Sequence, residues 1–305
     1  MKKVLSEGQK MFGSVMAVFV IYVVVFILFE DYDRKRLEPF DEVSDWHLLL
    51  FSIVMMGGLG LILYRYARRM DERISREQAA KENRLRRELT QNISHELKTP
   101  VASILGYAET VLHTEGISEQ QRRQFAERTL SQAQRLTALL QDISMLNRMD
   151  YAADILTKGR VNVSALVADI VEETSLAFQE RHMKLYNQLP KDIVVRGNEQ
   201  LIYSIFRNLT DNAVAYAGEG TMVEISATED KTHWHFHFAD NGQGIPEEHL
   251  PRIFERFYRI DKSRSRQMGG TGLGLAIVKN AILLHDGTIT IHSEKGTQFD
   301  FTIAK

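Results

Sequence analysis

Two groups of side chains in distant parts of the sequence have types and spacings that suit chemistry. The first is His95 followed by Glu96, in a stretch whose apolar residues recur at helical spacing and leave the histidine off their stripe. An exposed imidazole is largely uncharged at neutral pH, so its nitrogen lone pair can attack, and a neighbouring carboxylate can orient the ring or accept a proton. A lone histidine on a polar helix face is more often merely solvated, so this assignment depends on the rest of the chain. The apolar stripe comprises Leu85, Leu89, Leu97, Val101, Ile104, Ala108 and Leu112.

The second group begins with amides and a carboxylate that suit a nucleotide. Asn208 and Asn212 lie one turn apart on a predicted helix, where they can offer oxygen to a hard cation and hydrogen bonds to phosphate oxygens. Asp240 ends a predicted strand and can accept a hydrogen bond from an adenine amino group. Gly242 and Gly244 let the backbone approach the ring closely. Together these two blocks favour a purine nucleotide bound with a cation.

A glycine-rich block completes the second group. Backbone amides that lead into a helix N-terminus suit a triphosphate, and this block leads into a predicted helix. A dinucleotide-binding fingerprint is excluded, because no strand leads directly into the block and no βαβ unit surrounds it. Upstream, Phe254 and Phe257 anchor a polar loop that could close over a nucleotide. The block comprises Gly269, Gly270, Thr271, Gly272, Leu273, Gly274 and Leu275.

In this order the motifs resemble those of bacterial two-component sensor histidine kinases. The segment from His95 to Pro100 is similar to their phosphoacceptor box, and the later blocks are similar to the N, G1, F and G2 boxes of their catalytic domain. The resemblance covers about residues 84–305. It implies a dimeric helical hairpin, forming a four-helix bundle, over residues 84–152. It also implies an α+β sandwich ATP-binding domain of the GHKL, or Bergerat, type over residues 153–305.

The resemblance also implies roles for individual residues. The ATP γ-phosphate would phosphorylate His95 on nitrogen, and the phosphoryl group would pass to an aspartate of a response regulator. Glu96 would serve as acid and base, and Thr99 would position water for the reverse phosphatase step. Asn208 would hold Mg²⁺. The expected nucleotide contacts are Asn208, Asn212, Tyr216, Asp240, Gly242, Gly244, Ile245, Phe254, Phe257, Arg259, Lys262, Gly270, Thr271, Gly272, Leu273, Gly274 and Leu275.

Two departures from the family pattern leave an alternative open. Ala215 stands where the family often has a lysine, and Asn198 stands where an acidic residue is common. One phosphate-neutralising charge is then missing unless Arg259 or Lys262 supplies it. The alternative function is a kinase-weak membrane scaffold that acts mainly as a phosphatase of its response regulator. An ATPase or chaperone of the related nucleotide-binding fold is disfavoured by the histidine box.

Overall composition narrows the function classes. Lys and Arg number 38 against 40 Asp and Glu, so no global basic field favours nucleic-acid binding. The chain has 0 cysteines, which excludes disulfides, thiolate metal sites and cysteine nucleophiles.

The N-terminal part of the sequence predicts a membrane protein. The stretches 11–29 and 48–64 lack charged residues and are long enough to cross a bilayer. Lysines in the tail 1–10 and arginines after the second stretch place both ends in the cytoplasm, so we expect a multi-pass protein of the inner, or cytoplasmic, membrane with lipid as a partner. The acidic loop 30–47 would lie outside; we expect a solvated hairpin, although its carboxylates could collect cations. Residues 65–83 would form a charged helical signalling linker.

Periodicity predicts the remaining elements. The histidine helix should end near His113, and Ser118 should cap a second helix, 119–149, together with Gln121. Each helix of this hairpin has one apolar stripe, which a homodimeric four-helix bundle would bury. The second stripe comprises Phe125, Leu130, Ala133, Leu136, Leu140, Ile143 and Leu146.

An α+β domain is predicted beyond the hairpin, because its strands and helices do not alternate strictly. The histidines at 233, 235 and 237 favour a solvated face of an antiparallel sheet over a metal site, since no further ligand is placed to complete one. Helices are expected at 164–181, 199–217 and 272–285, and strands at 160–163, 184–189, 193–196, 223–228, 233–239, 288–292 and 297–303.

Overall fold

The computed structural model describes residues 16–17, 20–25, 27–28, 43–151, 157–261 and 270–305. They divide into two compact units, Met1–Glu88 and Leu89–Lys305. The predicted tail 1–10, residues 30–42 of the predicted outer loop, parts of the first predicted span and Lys262 lie outside the described residues.

The first unit contains short helical stretches between residues 16 and 28 and the beginning of helix α1, which runs from Val43 to His113. Arg68 and Arg76 both pair with Glu72, at 3.3 and 3.9 Å, which supports the prediction of a charged helix in the linker. Within the part of the chain that the structure describes, no helix combines the length and the apolar character that crossing a bilayer requires.

The second unit begins with the predicted helical hairpin. It consists of the rest of α1, which continues through Pro100, and of α2, Glu119–Tyr151. Gly116 makes the turn with a φ of 76°, which costs glycine little. The predicted cap is confirmed, since the Gln121 backbone N–H donates to Ser118 Oγ at 3.2 Å and the Ser118 N–H donates back to Gln121 Oε1 at 3.0 Å.

The predicted apolar stripe of α2 is incomplete. Leu130 and Leu140, which a second copy is expected to bury, are exposed in the single chain, whereas Leu139 and Met149, which lay off the predicted stripe, are buried together with Leu146. The reason is that α2 presents a second apolar face to the C-terminal domain, and these three side chains join the hydrophobic core of that domain. A single stripe read from spacing could not reveal two packing partners.

The C-terminal domain has the predicted α+β composition, and its elements begin and end within a few residues of the predicted positions. The strands are β1 (Gly159–Asn162), β2 (Lys184–Gln188), β3 (Val194–Gly197), β4 (Met222–Glu229), β5 (His233–Asp240), β6 (Ile289–His292) and β7 (Thr297–Ala304). The helices are α3 (Val163–Glu180), α4 (Glu199–Tyr216) and α5 (Gly274–Leu284), with a short 3₁₀ helix at Glu247–His249.

Five strands form one sheet in the order β2-β4-β5-β7-β6, and β1 pairs with β3 in a separate antiparallel ribbon. The strands β4 and β5 pair antiparallel, in agreement with the predicted antiparallel sheet. The sheet is mixed, however, because β2 pairs with β4 in parallel. This parallel edge follows from the chain path, since α3 precedes β2 and the helix α4 intervenes before β4.

The helix α4 is attached to the sheet by aromatic packing. Phe206 packs edge-on against Phe236 and Phe301, with ring centroids 5.3 and 5.6 Å away, and these two rings stack across β5 and β7. Ile202 and Ile205 are fully buried on the same side of the helix. The polar side of α4, which carries the two predicted site asparagines, is therefore left free of the core.

His285 ties the ends of α4 and α5 together. Its Nδ1–H donates to the Ala281 carbonyl at 2.7 Å, and its Nε2 accepts the backbone N–H of Asn198 at 2.9 Å. Burial lowers the pKa of His285, which keeps the ring in the neutral form that can accept this bond. Gly197 is required beside it, because a Cβ there would lie 2.5 Å from the imidazole.

Candidate active site

The predicted acceptor, His95, is exposed on α1, as its position off the apolar stripe predicted. Thr99 lies one turn later on the same side of the helix, and its hydroxyl donates to the His95 carbonyl at 3.3 Å. Both side chains are accessible from solvent. The imidazole is therefore positioned to meet a partner from outside the hairpin.

Glu96 is in a different environment from its neighbour, since its side chain is 19% exposed. Its Oε2 accepts a hydrogen bond from Arg259 Nη2 at 3.2 Å and lies 3.6 Å from Arg135 Nη2. Arg259 belongs to the C-terminal domain and Arg135 to α2. The Glu96 carboxylate thus lies between Arg135 of the hairpin and Arg259 of the C-terminal domain.

Arg259 is 5% exposed, and part of its hydrogen-bonding capacity is unused. Among the residues that the structure describes, its Nε and Nη1 have no hydrogen-bond partner. A Cβ at position 272 would lie 3.1 Å from Nε, so the guanidinium adjoins the glycine-rich block. Buried donors of this kind fit an anion such as a phosphate.

The two asparagines of α4 carry complementary hydrogen-bonding groups, and Asn208 faces the glycine-rich block. Asn208 donates Nδ2–H to the Ser204 carbonyl at 2.7 Å, and its Oδ1 faces Gly274, where a Cβ would lie 2.5 Å away. Asn212 Nδ2 is buried and has no partner within the described part of the chain. An oxygen directed at the block suits a hard cation, and an unpaired N–H suits a phosphate oxygen.

Asp240 lies at the end of β5 in a hydrogen-bonded pocket. Its Oδ1 accepts backbone N–H groups from Gly242 at 2.9 Å and from Thr297 at 3.3 Å. Burial raises the pKa of this carboxyl, and the hydrogen bonds from Gly242 and Thr297 oppose the shift. A fixed, partly desolvated carboxylate is suited to recognise an amino group by a charge-assisted hydrogen bond.

The loop after Asp240 is supported by residues between β6 and β7. Gly244 adopts a φ of 70°, and the Ile245 N–H donates to Ser293 Oγ at 2.6 Å. Gly296 lies against Asp240, where a Cβ would lie 1.9 Å from the aspartate carbonyl oxygen. The Gln243 side chain donates to the Tyr216 carbonyl at 3.0 Å, which joins this loop to the end of α4.

The glycine-rich block forms the turn into α5. Gly272 has a φ of 74°, and the Leu273 N–H donates to Thr271 Oγ1 at 3.2 Å, one residue before α5 begins. Phe254 and Phe257 are half-buried against the domain core. Phe257 has a φ of 64°, a conformation that is strained for an aromatic residue, and its N–H donates to the Gly272 carbonyl at 2.8 Å.

The block also contacts the hairpin. The Thr271 hydroxyl donates to Asp142 on α2 at 2.7 Å. Burial raises the pKa of the Asp142 carboxyl; the Thr271 hydrogen bond opposes this shift, and the negative charge of Asp211 adds to it. A second contact joins Arg256 to Asp150 through paired hydrogen bonds of 2.8 and 2.7 Å.

Three hairpin residues with such contacts were not predicted: Arg135 beside Glu96, Asp142 on Thr271, and Asp150 on Arg256. The support of Asp240 by Thr297 was also not predicted. None of these residues lies in a recognisable motif, so spacing alone gave no signal for them. Asn198, noted as a departure from the family pattern, caps α4, since its Oδ1 accepts the Leu201 N–H at 3.1 Å.

The histidines of β5 are half-buried to exposed, and two of them pair with carboxylates that were not predicted to lie beside them. His235 pairs with Asp230 and His237 pairs with Asp300, each at 2.7 Å. Across the described residues, no cluster of three or more potential ligands could hold a metal ion.

Two family models match the chain. Residues 85–152 match the His Kinase A (phospho-acceptor) domain, and residues 197–305 match the histidine kinase-, DNA gyrase B- and HSP90-like ATPase. The predicted helical hairpin and GHKL-type domain are thereby confirmed.

Similar proteins agree with this match. The chain is 35% identical over 257 residues to the sensor-like histidine kinase SenX3 of Mycobacterium tuberculosis. The aligned region covers 81% of this chain and 62% of SenX3. It is 33% identical over 278 residues to the phosphate regulon sensor protein PhoR of Pseudomonas aeruginosa, which covers 90% of this chain and 60% of PhoR. The chain therefore spans somewhat less than two thirds of the length of these curated relatives.

A solved structure gives the same result. Full-length ShkA in complex with AMPPNP superposes with a TM-score of 0.53 at 26% identity, covering 71% of this chain and 45% of ShkA. With an acceptor-domain match, an ATPase-domain match and sensor-kinase relatives that extend over both, this chain belongs to the two-component sensor histidine kinases.

Proposed function

We propose that the chain is an ATP-dependent protein-histidine kinase that phosphorylates itself on His95 and passes the phosphoryl group to an aspartate of a response regulator. The observation that carries the proposal is the contact between Glu96 and Arg259. It joins the residue beside the exposed histidine to an arginine whose buried, unpaired donors fit a phosphate. The acceptor and the nucleotide site thus belong to one contiguous arrangement.

The reaction we propose is a transfer of the ATP γ-phosphoryl group to an imidazole nitrogen. The nitrogen–phosphorus bond forms, the bond from phosphorus to the bridging oxygen of ADP breaks, and ADP leaves with that electron pair. Glu96 takes the proton from the ring, and Arg259 and Asn212 bind phosphate oxygens. Asn208 would hold Mg²⁺, which neutralises phosphate charge when bound. Asp240 would hold the adenine amino group, between Tyr216 and Ile245.

The first prediction tests the acceptor. The purified chain with Mg²⁺ and labelled ATP should acquire phosphate that is labile in acid and stable in base, because a nitrogen–phosphorus bond has that stability. His95→Gln should abolish the label. His113→Gln, which changes another exposed histidine on the same helix, is the matched control and should keep it. Retention of the label in His95→Gln would refute the assignment.

The second prediction tests the nucleotide site by calorimetric titration with a non-hydrolysable ATP analogue. Asp240→Ala removes a hydrogen bond from a charged group, which is worth about 1.5–3 kcal/mol. The dissociation constant should rise on the order of tenfold to a hundredfold in consequence. Asn212→Ala should also weaken binding, through lost phosphate contacts. Asn187→Ala, on the edge strand β2, serves as the control. If both site variants bind like the control, the nucleotide lies elsewhere.

Phosphatase activity toward the response regulator is a second candidate function, and Thr99 is the observation that favours it. Its hydroxyl is exposed on the same side of α1 as His95, where it could position a water molecule. Ala215, in place of a lysine, removes a charge that would assist the kinase reaction and is in keeping with a phosphatase-dominated balance.

Accordingly, Thr99→Ala should slow dephosphorylation of the phosphorylated regulator while autophosphorylation continues at a normal rate. Thr110 donates to the carbonyl four residues earlier in the same way, at 2.7 Å, so Thr110→Ala controls for loss of such a bond. An equal decline of both activities in Thr99→Ala would indicate damage to the helix and would contradict the role in water positioning.

Dimerisation through the hairpin is part of the proposal. Val101, Leu105, Leu112, Leu130 and Leu140 are exposed in the single chain. Apolar side chains on both helices of a hairpin are those that a four-helix bundle of two copies buries.

We also propose that residues 11–29 and 48–64 anchor the protein in the cytoplasmic membrane with lipid around them. Support comes from exposed apolar side chains such as Ile21, Leu28, Ile53 and Val54 and from the flanking basic residues. The linker 65–83 would pass signals to the hairpin.

The membrane anchor can be tested by washing isolated membranes at alkaline pH. The membranes should retain the full chain and release a variant lacking residues 1–64. Release of the full chain would contradict the anchor.

A further inference from the structure

Arg135 on α2 lies in a position that the motifs do not explain. Its side chain is 12% exposed, and its Nη2 lies 3.6 Å from Oε2 of Glu96 on α1. Both residues belong to the helical hairpin, so this contact does not depend on where the C-terminal domain is placed. A largely buried arginine beside a largely buried carboxylate indicates a specific pair, because a buried charge is unfavourable without an opposite charge nearby.

The same carboxylate oxygen is also bound by Arg259. In the proposed function Arg259 also binds the nucleotide, since its unpaired Nε and Nη1 fit the phosphates. A phosphate bound by Nε and Nη1 would share the guanidinium charge with the carboxylate, so the pairing of Arg259 with Glu96 would weaken. Arg135 is then the cation of the hairpin that remains beside it.

We infer that Arg135 is a positioning residue for phosphorylation of His95, because it keeps the Glu96 carboxylate in place when Arg259 binds the nucleotide. Arg135 acts through Glu96 and touches neither the nucleotide nor the imidazole. A carboxylate without a cation would turn toward water and leave the place from which it accepts the ring proton. The inference rests on the proposed kinase function, and its test separates the two.

Other arginines of α2 provide a matched control. Arg123 pairs with Glu127 one turn away at 3.0 Å, and its side chain is 82% exposed. Exposed pairs of this kind contribute little to stability, and this one does not touch Glu96. Arg123→Ala should therefore leave autophosphorylation and stability close to those of the unchanged chain.

The kinetic test measures initial autophosphorylation rates of the full chain against ATP concentration. Since misplacing a catalytic group by about an ångström can cost on the order of a hundredfold, Arg135→Ala should lower kcat by roughly tenfold to a hundredfold. The KM for ATP should stay the same, because Arg135 does not bind nucleotide. Arg135→Lys, which keeps the charge, should restore part of kcat. A raised KM with unchanged kcat would overturn the inference.

A double-mutant cycle shows whether Arg135 acts through Glu96. In the Glu96→Gln background, adding Arg135→Ala should lower kcat by less than about twofold, because residues in contact are coupled and not additive. A full additional loss would show that Arg135 acts independently and would overturn the inference. An arginine that only stabilises the hairpin would lower the rate in both backgrounds.

Urea unfolding of the same variants supplies a readout that needs no kinase activity. The loss of stability in Arg135→Ala should be smaller in the Glu96→Gln background than in the unchanged chain, and additive losses would show that the pair does not exist. If the pair is coupled but the chain never acquires phosphate on His95, the proposed function is wrong. If His95 is phosphorylated and Arg135→Ala behaves like Arg123→Ala, the inference is wrong and the proposed function stands.

Discussion

The burial of one side of α4 is the constraint from which the geometry of the site follows. Ile202, Ile205 and Phe206 have no exposed surface, and the phenyl ring lies against two aromatic rings of the central sheet. Rotating the helix would expose these side chains, which costs about 1.5–3 kcal/mol for each one. The helix therefore presents Asn208 and Asn212 on its polar side, with the Asn208 oxygen directed at the turn that begins α5. Hydrophobic packing on one side fixes the polar chemistry on the other.

Much of this arrangement could be predicted from local sequence. Helices and strands were located to within a few residues because apolar spacing differs between them, and the Ser118 cap and the exposed face of His95 followed from the same reasoning. The glycine-rich turns were also visible, since positive φ angles at Gly244 and Gly272 require that residue type. Features that depend on residues close together in the sequence, such as caps, turns and exposed helix faces, were therefore predictable.

The contacts between the hairpin and the C-terminal domain could not be predicted. Asp142 and Thr271 are 129 positions apart, and Asp150 and Arg256 are 106 apart, so no spacing rule connects them. Leu139 was missed for the same reason, because its burial depends on a neighbouring domain and not on the periodicity of its own helix. The parallel pairing of β2 was likewise a property of the chain path rather than of the strand sequence. Long-range contacts of this kind determine which motif residues meet.

The Thr271 hydroxyl can donate only one hydrogen bond at a time. A hydroxyl group has one proton, and the proton of Thr271 is directed at Asp142, while the oxygen already accepts the Leu273 N–H. A phosphate oxygen that claimed this proton would have to take it from the carboxylate of Asp142. The Thr271 hydrogen bond opposes the effect of burial on the Asp142 carboxyl, so its loss would raise the pKa of that carboxyl further. Exchange of one hydrogen bond at the turn would thus alter the electrostatics of the hairpin.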